Sequence, residues 1–71
     1  VYPNPVENYF VVSGLAKGTL ISICDMAGRK IKTVTATGSK EKIETTGFTK
    51  GNYTITVSSE TGERYYKLTK L

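Results

Sequence analysis

Histidine is absent from this 71-residue sequence, and cysteine occurs once, as Cys24. Without histidine, the Ser-His-Asp and Cys-His catalytic arrangements are excluded, as are metal sites built on cysteine and histidine. A single cysteine cannot form an internal disulfide, so the fold is not a stapled mini-domain. Cys24 then reads as a small apolar strand residue. Acidic residues are also scarce. Asp and Glu total 6 against 10 Lys and Arg, for a net charge of +4. An excess of this size fits a mildly basic surface more readily than a nucleic-acid or lipid partner. No apolar run is long enough to cross a bilayer as a helix, and no signal peptide is visible. No window of about a dozen residues carries the helical 3.6 period. The glycines lack the strand–loop–helix surroundings of a phosphate loop. Glu41 and Glu44 have opposite parity in one predicted strand and make a poor acid/base pair, while Glu60 and Glu63 flank a predicted turn. Nothing in the sequence points to catalysis, a cofactor or a metal. The chain begins at Val1 rather than Met, which fits a piece of a longer precursor and equally a trimmed chain.

What is present has period two. Tyr53, Ile55 and Val57 alternate with Thr54, Thr56 and Ser58, giving one apolar face and one hydroxylated face. Ile21 and Ile23 alternate with Ser22 and Cys24 in the same way. Tyr9-Phe10-Val11-Val12 is a continuous apolar run, as expected of a strand covered on both faces. Valine, isoleucine, threonine and tyrosine dominate these segments. The predicted strands span about 8–12, 19–25, 30–36, 40–45, 52–58 and 63–70, with the opening residues as an added edge piece. Asp25-Met26-Ala27-Gly28 and Ser59-Glu60-Thr61-Gly62 each place a turn-former first and glycine fourth. Both predict a type I turn closed by a positive-φ glycine, the usual three-residue hairpin loop. Thr37-Gly38 is a shorter turn signal. The expected fold is all-β, a small antiparallel Ig-like β-sandwich of about seven short strands forming one domain over residues 1–71. Its expected core is Val11, Ile21, Ile23, Ile43, Ile55, Val57 and Leu68.

Two further features stand out. "GLAKGTL" at Gly14–Leu20 echoes "GFTKGNY" at Gly47–Tyr53. Each precedes an alternating strand, a glycine turn and a basic strand, but the registers differ by one residue, enough to turn every side chain to the other face. Shared turn geometry accounts for the echo more simply than duplication. Pro3 and Pro5 have fixed φ and no N–H, so Pro3-Asn4-Pro5 is a stiff extended lead-in that discourages edge pairing. Tyr65, Tyr66 and Lys67 set aromatics beside a base, as nucleic-acid stacking platforms do. Adjacent strand residues point to opposite faces, however, which argues against a platform.

"YPNPVENYFVV", "ISICDMAGRKI", "GFTKGNYTITV" and a closing "KLTKL" occur in this order, and together they resemble the C-terminal sorting domain of type IX (Por) secretion cargo. Pro3, Asn4 and Pro5 fit the family's lead-in, and Asp25, Gly28 and Arg29 fit its first hairpin. Phe48, Gly51 and Tyr53 fit the Gly-x-Tyr strand start, while Lys67 and Lys70 fit the terminal strand. Cys24 stands where an aromatic or aliphatic residue is expected, and Phe48 where leucine is commoner. The resemblance spans the whole chain. Each short motif is weak, and the ordered set is fairly specific.

The resemblance implies a handling signal rather than a catalyst. A cargo precursor reaches the periplasm of a gram-negative bacterium and folds there. Outer-membrane translocation machinery then recognises it through this domain. A sortase-like peptidase removes the domain, and the cargo is attached to the surface or released. Lys67, Leu68, Lys70 and Leu71 are the candidate recognition residues on the terminal strand. Pro3, Asn4, Pro5, Asp25, Gly28, Gly51, Tyr53 and Gly62 are the motif residues with structural roles. Expected partners are that machinery and the upstream cargo domain. Neither nucleic acid nor a membrane span is expected, and dimerisation of the isolated domain is left open. The alternative is an adhesive or carbohydrate-binding sandwich appended to a secreted enzyme. The spread of Tyr2, Tyr9, Tyr53, Tyr65 and Tyr66 over separate strands argues mildly against that alternative.

Overall fold

The computed structural model describes Tyr2 and residues 6–71, so the Pro3-Asn4-Pro5 lead-in lies outside the described residues. Six strands form: β1 (Tyr9–Ser13), β2 (Leu20–Asp25), β3 (Lys30–Thr35), β4 (Lys40–Glu44), β5 (Gly51–Ser59) and β6 (Gly62–Lys70), with no helix among the described residues. They make a two-stranded sheet, β1-β4, and a four-stranded sheet ordered β3-β2-β5-β6. All strand pairs are antiparallel. Inward side chains from both sheets form one core of Val6, Phe10, Val12, Ile21, Ile23, Ile43, Tyr53, Ile55, Val57 and Leu68. The result is the expected all-β, sandwich-like arrangement with six strands rather than seven. Among the described opening residues, Tyr2 and Val6 make isolated bridges, to Val11 and to Lys70.

Two expectations are corrected. Val11 is half-buried, and Phe10 and Val12 hold the inward positions of β1. The run Tyr9–Val12 is apolar at both parities, so alternation could not choose between its faces. Turning Phe10 inward buries the larger wholly apolar ring, while Tyr9 keeps its hydroxyl in water. The two hairpins also differ. At Asp25 the loop has the expected form. Gly28 N donates to Asp25 O at 3.0 Å, Asp25 N donates to Arg29 O at 3.0 Å, and Gly28 sits at φ 86°. Ser59, by contrast, pairs directly with Gly62 and the register stays constant along β5 and β6. Only Glu60 and Thr61 form that loop, and Gly62 has φ 138°.

The sequence echo has a spatial counterpart. Antiparallel pairing of β1 with β4 and of β2 with β5, flanked by β3 and β6, makes β1-β2-β3 and β4-β5-β6 equivalent halves about a local two-fold. Phe10 and Ile43 are direct partners, as are Ser22 and Thr56, and these pairs mark where the axis passes. Gly14 and Gly18 correspond to Gly47 and Gly51. Ile21, Ile23 and Gly28 correspond to Ile55, Val57 and Gly62 at an offset one residue longer. The extra residue falls between Gly51 and Ile55, where it restores the inward face that the slip would otherwise have reversed.

Candidate functional site

Each resemblance motif performs a definable local task. Asp25 organises the first hairpin. Its Oδ1 accepts from Ala27 N at 3.0 Å and Arg29 N at 2.9 Å, and its Oδ2 accepts from Arg29 Nε at 2.9 Å. The carboxyl is held below the ordinary aspartate range, chiefly by the hydrogen bond from the Arg29 backbone, and the arginine side chain adds to this. Asp, Gly and a basic residue at this spacing thus close one turn. Asp supplies the acceptors, Gly the left-handed conformation and Arg the counter-charge.

The segment from Gly47 to Tyr53 forms a second unit. Tyr53, 4% exposed, sits near the start of β5 and sends its hydroxyl back to the carbonyl of Thr49, with Thr49 Oγ1 at 3.1 Å. A tyrosine hydroxyl tied to backbone a few residues upstream is the corner found in β-sandwiches. The Phe48 ring packs on Tyr53 at a centroid distance of 5.3 Å. Gly51 opens β5 at φ 142°. Gly51 and Tyr53 therefore fix how the chain enters the strand beside β6.

The terminal strand divides its candidate residues between core and surface. Leu68 is 1% exposed and belongs to the core, so the folded protein does not present its side chain to a partner. Lys67 is exposed on the outer face of the four-stranded sheet, directly opposite Thr54. Lys70 is half-buried, with Nζ donating to Leu71 O at 3.0 Å, and Leu71 is exposed. Val6 N donates to Thr69 O at 2.8 Å and Leu71 N donates to Val6 O at 2.9 Å. The end of β6 is thereby bonded to the beginning of the chain. On the same outer face Glu63 accepts from Ser58 Oγ at 2.8 Å and Tyr65 Oη at 2.9 Å. The Ser58 bond leads in lowering the Glu63 carboxyl, and Glu63 in turn raises the Tyr65 phenol.

Sequence reasoning missed three contributors. Val6 is fully buried, but a lone valine after the proline lead-in carries no periodic signal. Thr45 is fully buried, and its Oγ1 donates to Glu7 O at 3.3 Å. Its parity with Ile43 was the available clue. Tyr2 lies opposite Val11, so it shares an outer face with Tyr9, where Lys42 Nζ stands 4.4 Å from the Tyr9 ring centroid. No cluster of metal-ligating side chains exists among the described residues.

Comparison with known families matches residues 1–70 to the secretion system C-terminal sorting domain. The chain belongs to this family, the sorting tail of type IX secretion. Searches among curated proteins and among solved structures return no match. As a sorting domain, the chain is part of a larger cargo precursor, engages the type IX machinery, and marks its cargo for secretion or the cell surface.

Proposed function

We propose that residues 1–71 form a single non-catalytic tail read as a folded unit by the outer-membrane machinery. A sortase-like peptidase then removes it, and the freed cargo is anchored at the surface or released. The family match over residues 1–70 carries this reading. The fold supports it. The motif residues Asp25, Gly28, Gly51 and Tyr53 serve turn and corner geometry, which leaves recognition to surface side chains. Of the candidates, Lys67, Lys70 and Leu71 have side chains at or near the surface, at the end of β6.

The competing reading is a carbohydrate-binding module. Tyr2 and Tyr9, exposed on one face, favour it, but Lys42 occupies space over the Tyr9 ring. Position within a fusion separates the two. A periplasmic reporter with residues 1–71 at its C-terminus is exported in a type IX host. The same reporter with the domain at its N-terminus stays in the periplasm. Equal export from both positions refutes the tail reading, and polysaccharide binding abolished by Tyr9→Ala would favour the module.

A further inference from the structure

The edge of β6 at Glu63–Tyr65 adjoins a groove. Val6 pairs with this edge only at its C-terminal end, through Thr69 O and Leu71 N. Outward backbone groups alternate along a strand, so Glu63 and Tyr65 turn their N–H and C=O groups to the same edge. No described residue bonds to those groups there. Beneath this stretch lies a groove of about 240 Å³, where Leu15, Val57 and Tyr66 stand among hydroxyl side chains, with Glu63 and Arg64 at its rim. That is smaller than the roughly 300–1,000 Å³ of small-molecule sites. It suits individual side chains from an extended segment. Arg64 has inward parity, is exposed, and makes no hydrogen bond or ion pair among the described residues.

The opposite edge of the sheet is different. β3 sets Lys32 opposite the inward-facing Ile23, and Lys32 Nζ reaches across to Glu44 O at 3.3 Å. Charge directed into an edge is a device against strand pairing. The β6 side instead offers a few apolar side chains among hydroxyl groups, and a guanidinium with no partner among the described residues.

We propose that the β6 edge at Glu63–Tyr65 and the adjoining groove form a strand-addition site for an extended segment of the export machinery. Backbone ladder bonds give such a segment its register. Alternate aliphatic side chains enter between Leu15, Val57 and Tyr66, and a carboxylate meets Arg64. The ladder that Val6 begins at the far end is thereby continued along the same edge. This inference rests on the sorting-tail reading, because it takes the partner from that machinery.

The test uses the labelled 71-residue chain and a capped synthetic peptide that alternates valine with threonine around a central glutamate. Binding shifts the amide resonances of Glu63, Tyr65, Leu15 and Ala16. Ala16→Trp, which fills the groove from an exposed loop position, weakens binding about tenfold or more. Arg64→Glu does the same and restores binding to a peptide with lysine at the centre. A reporter carrying Ala16→Trp is exported more slowly although its tail stays folded. The proposal is overturned if the peptide does not bind, if shifts fall on Lys30–Thr35 instead, or if Ala16→Trp exports at the unmodified rate. Export of the unmodified reporter in the same host reads the sorting function independently, so a failed groove leaves that function standing.

Discussion

Asp25 shows how a recognition motif can be wholly occupied by its own turn. Both carboxylate oxygens are used within the loop that Gly28 closes. Because the folded carboxyl is lowered, its contribution to stability is complete above the ordinary aspartate value of 3.8 and is lost as pH falls through the folded value. Glu41, lowered chiefly by the Thr37 backbone, and Glu63, lowered chiefly by Ser58, act in the same direction below 4.5. Thermal unfolding from pH 7 to pH 2 is therefore expected to show Tm falling through this window. Asp25→Asn begins with a lower Tm at pH 7 and loses less in acid. Parallel curves for the two proteins would refute the role given to Asp25. The glycines offer a paired test. Gly28→Ala costs about 1 kcal/mol because alanine fits positive φ poorly. Gly38→Ala, where φ is not in that region, is neutral or slightly stabilising. No neighbouring atom stands within 4 Å of a Cβ at either position, so any difference reports backbone conformation alone.

At the scale of elements, strands with strict alternation were legible from sequence and the others were not. Ile21, Ile23, Ile55 and Val57 face inward as their spacing predicts, since threonine and serine at the intervening positions leave no competing apolar face. In β1 both parities are apolar, and the inward choice of Phe10 over Tyr9 rests on the tyrosine hydroxyl rather than on periodicity. The Asp25 hairpin was legible because its Asp-x-x-Gly signal specifies a three-residue loop. Ser59-Glu60-Thr61-Gly62 carries a similar signal, yet the uninterrupted ladder of β5 with β6 sets a two-residue loop. The tyrosine corner yields a specific expectation. Tyr53→Phe removes the bonds to Thr49 while keeping the ring against Phe48, and costs about 1 kcal/mol in chemical denaturation. The terminal strand requires two kinds of variant. Removing Lys67–Leu71 also removes Leu68 from the core and the partner of Val6, so a loss of about 2–5 kcal/mol accompanies any loss of export. Lys67→Glu with Lys70→Glu changes stability by only about 1 kcal/mol or less. Slower export of that folded double variant would locate recognition at the lysines. An unchanged rate would reduce them to edge protection.

At the scale of the molecule, the two-fold arrangement explains why the chain reads as two similar runs. Each half supplies one strand to the smaller sheet and a hairpin to the larger, so neither half buries its apolar face alone. The repeated glycine loops were visible in sequence. Their equivalence was hidden, because the single-residue slip between Gly51 and Ile55 becomes intelligible only once strand faces are assigned. The candidate recognition surface was less legible than the fold. Terminal lysines can be counted in sequence, but exposure separates Lys67 from Leu68, and only the bonds of Val6 to Thr69 and Leu71 reveal that the chain's two ends are joined. A tail built this way presents its terminal strand only when folded, which suits the proposed reading of the tail as a folded unit. The most direct measurement is the location of a folded periplasmic reporter in a type IX host, with and without residues 1–71 at its C-terminus. The account predicts that the reporter appears at the cell surface or in the medium only when the domain is present. A reporter held in the periplasm with the domain folded and attached, while a native cargo is exported from the same cells, would contradict it.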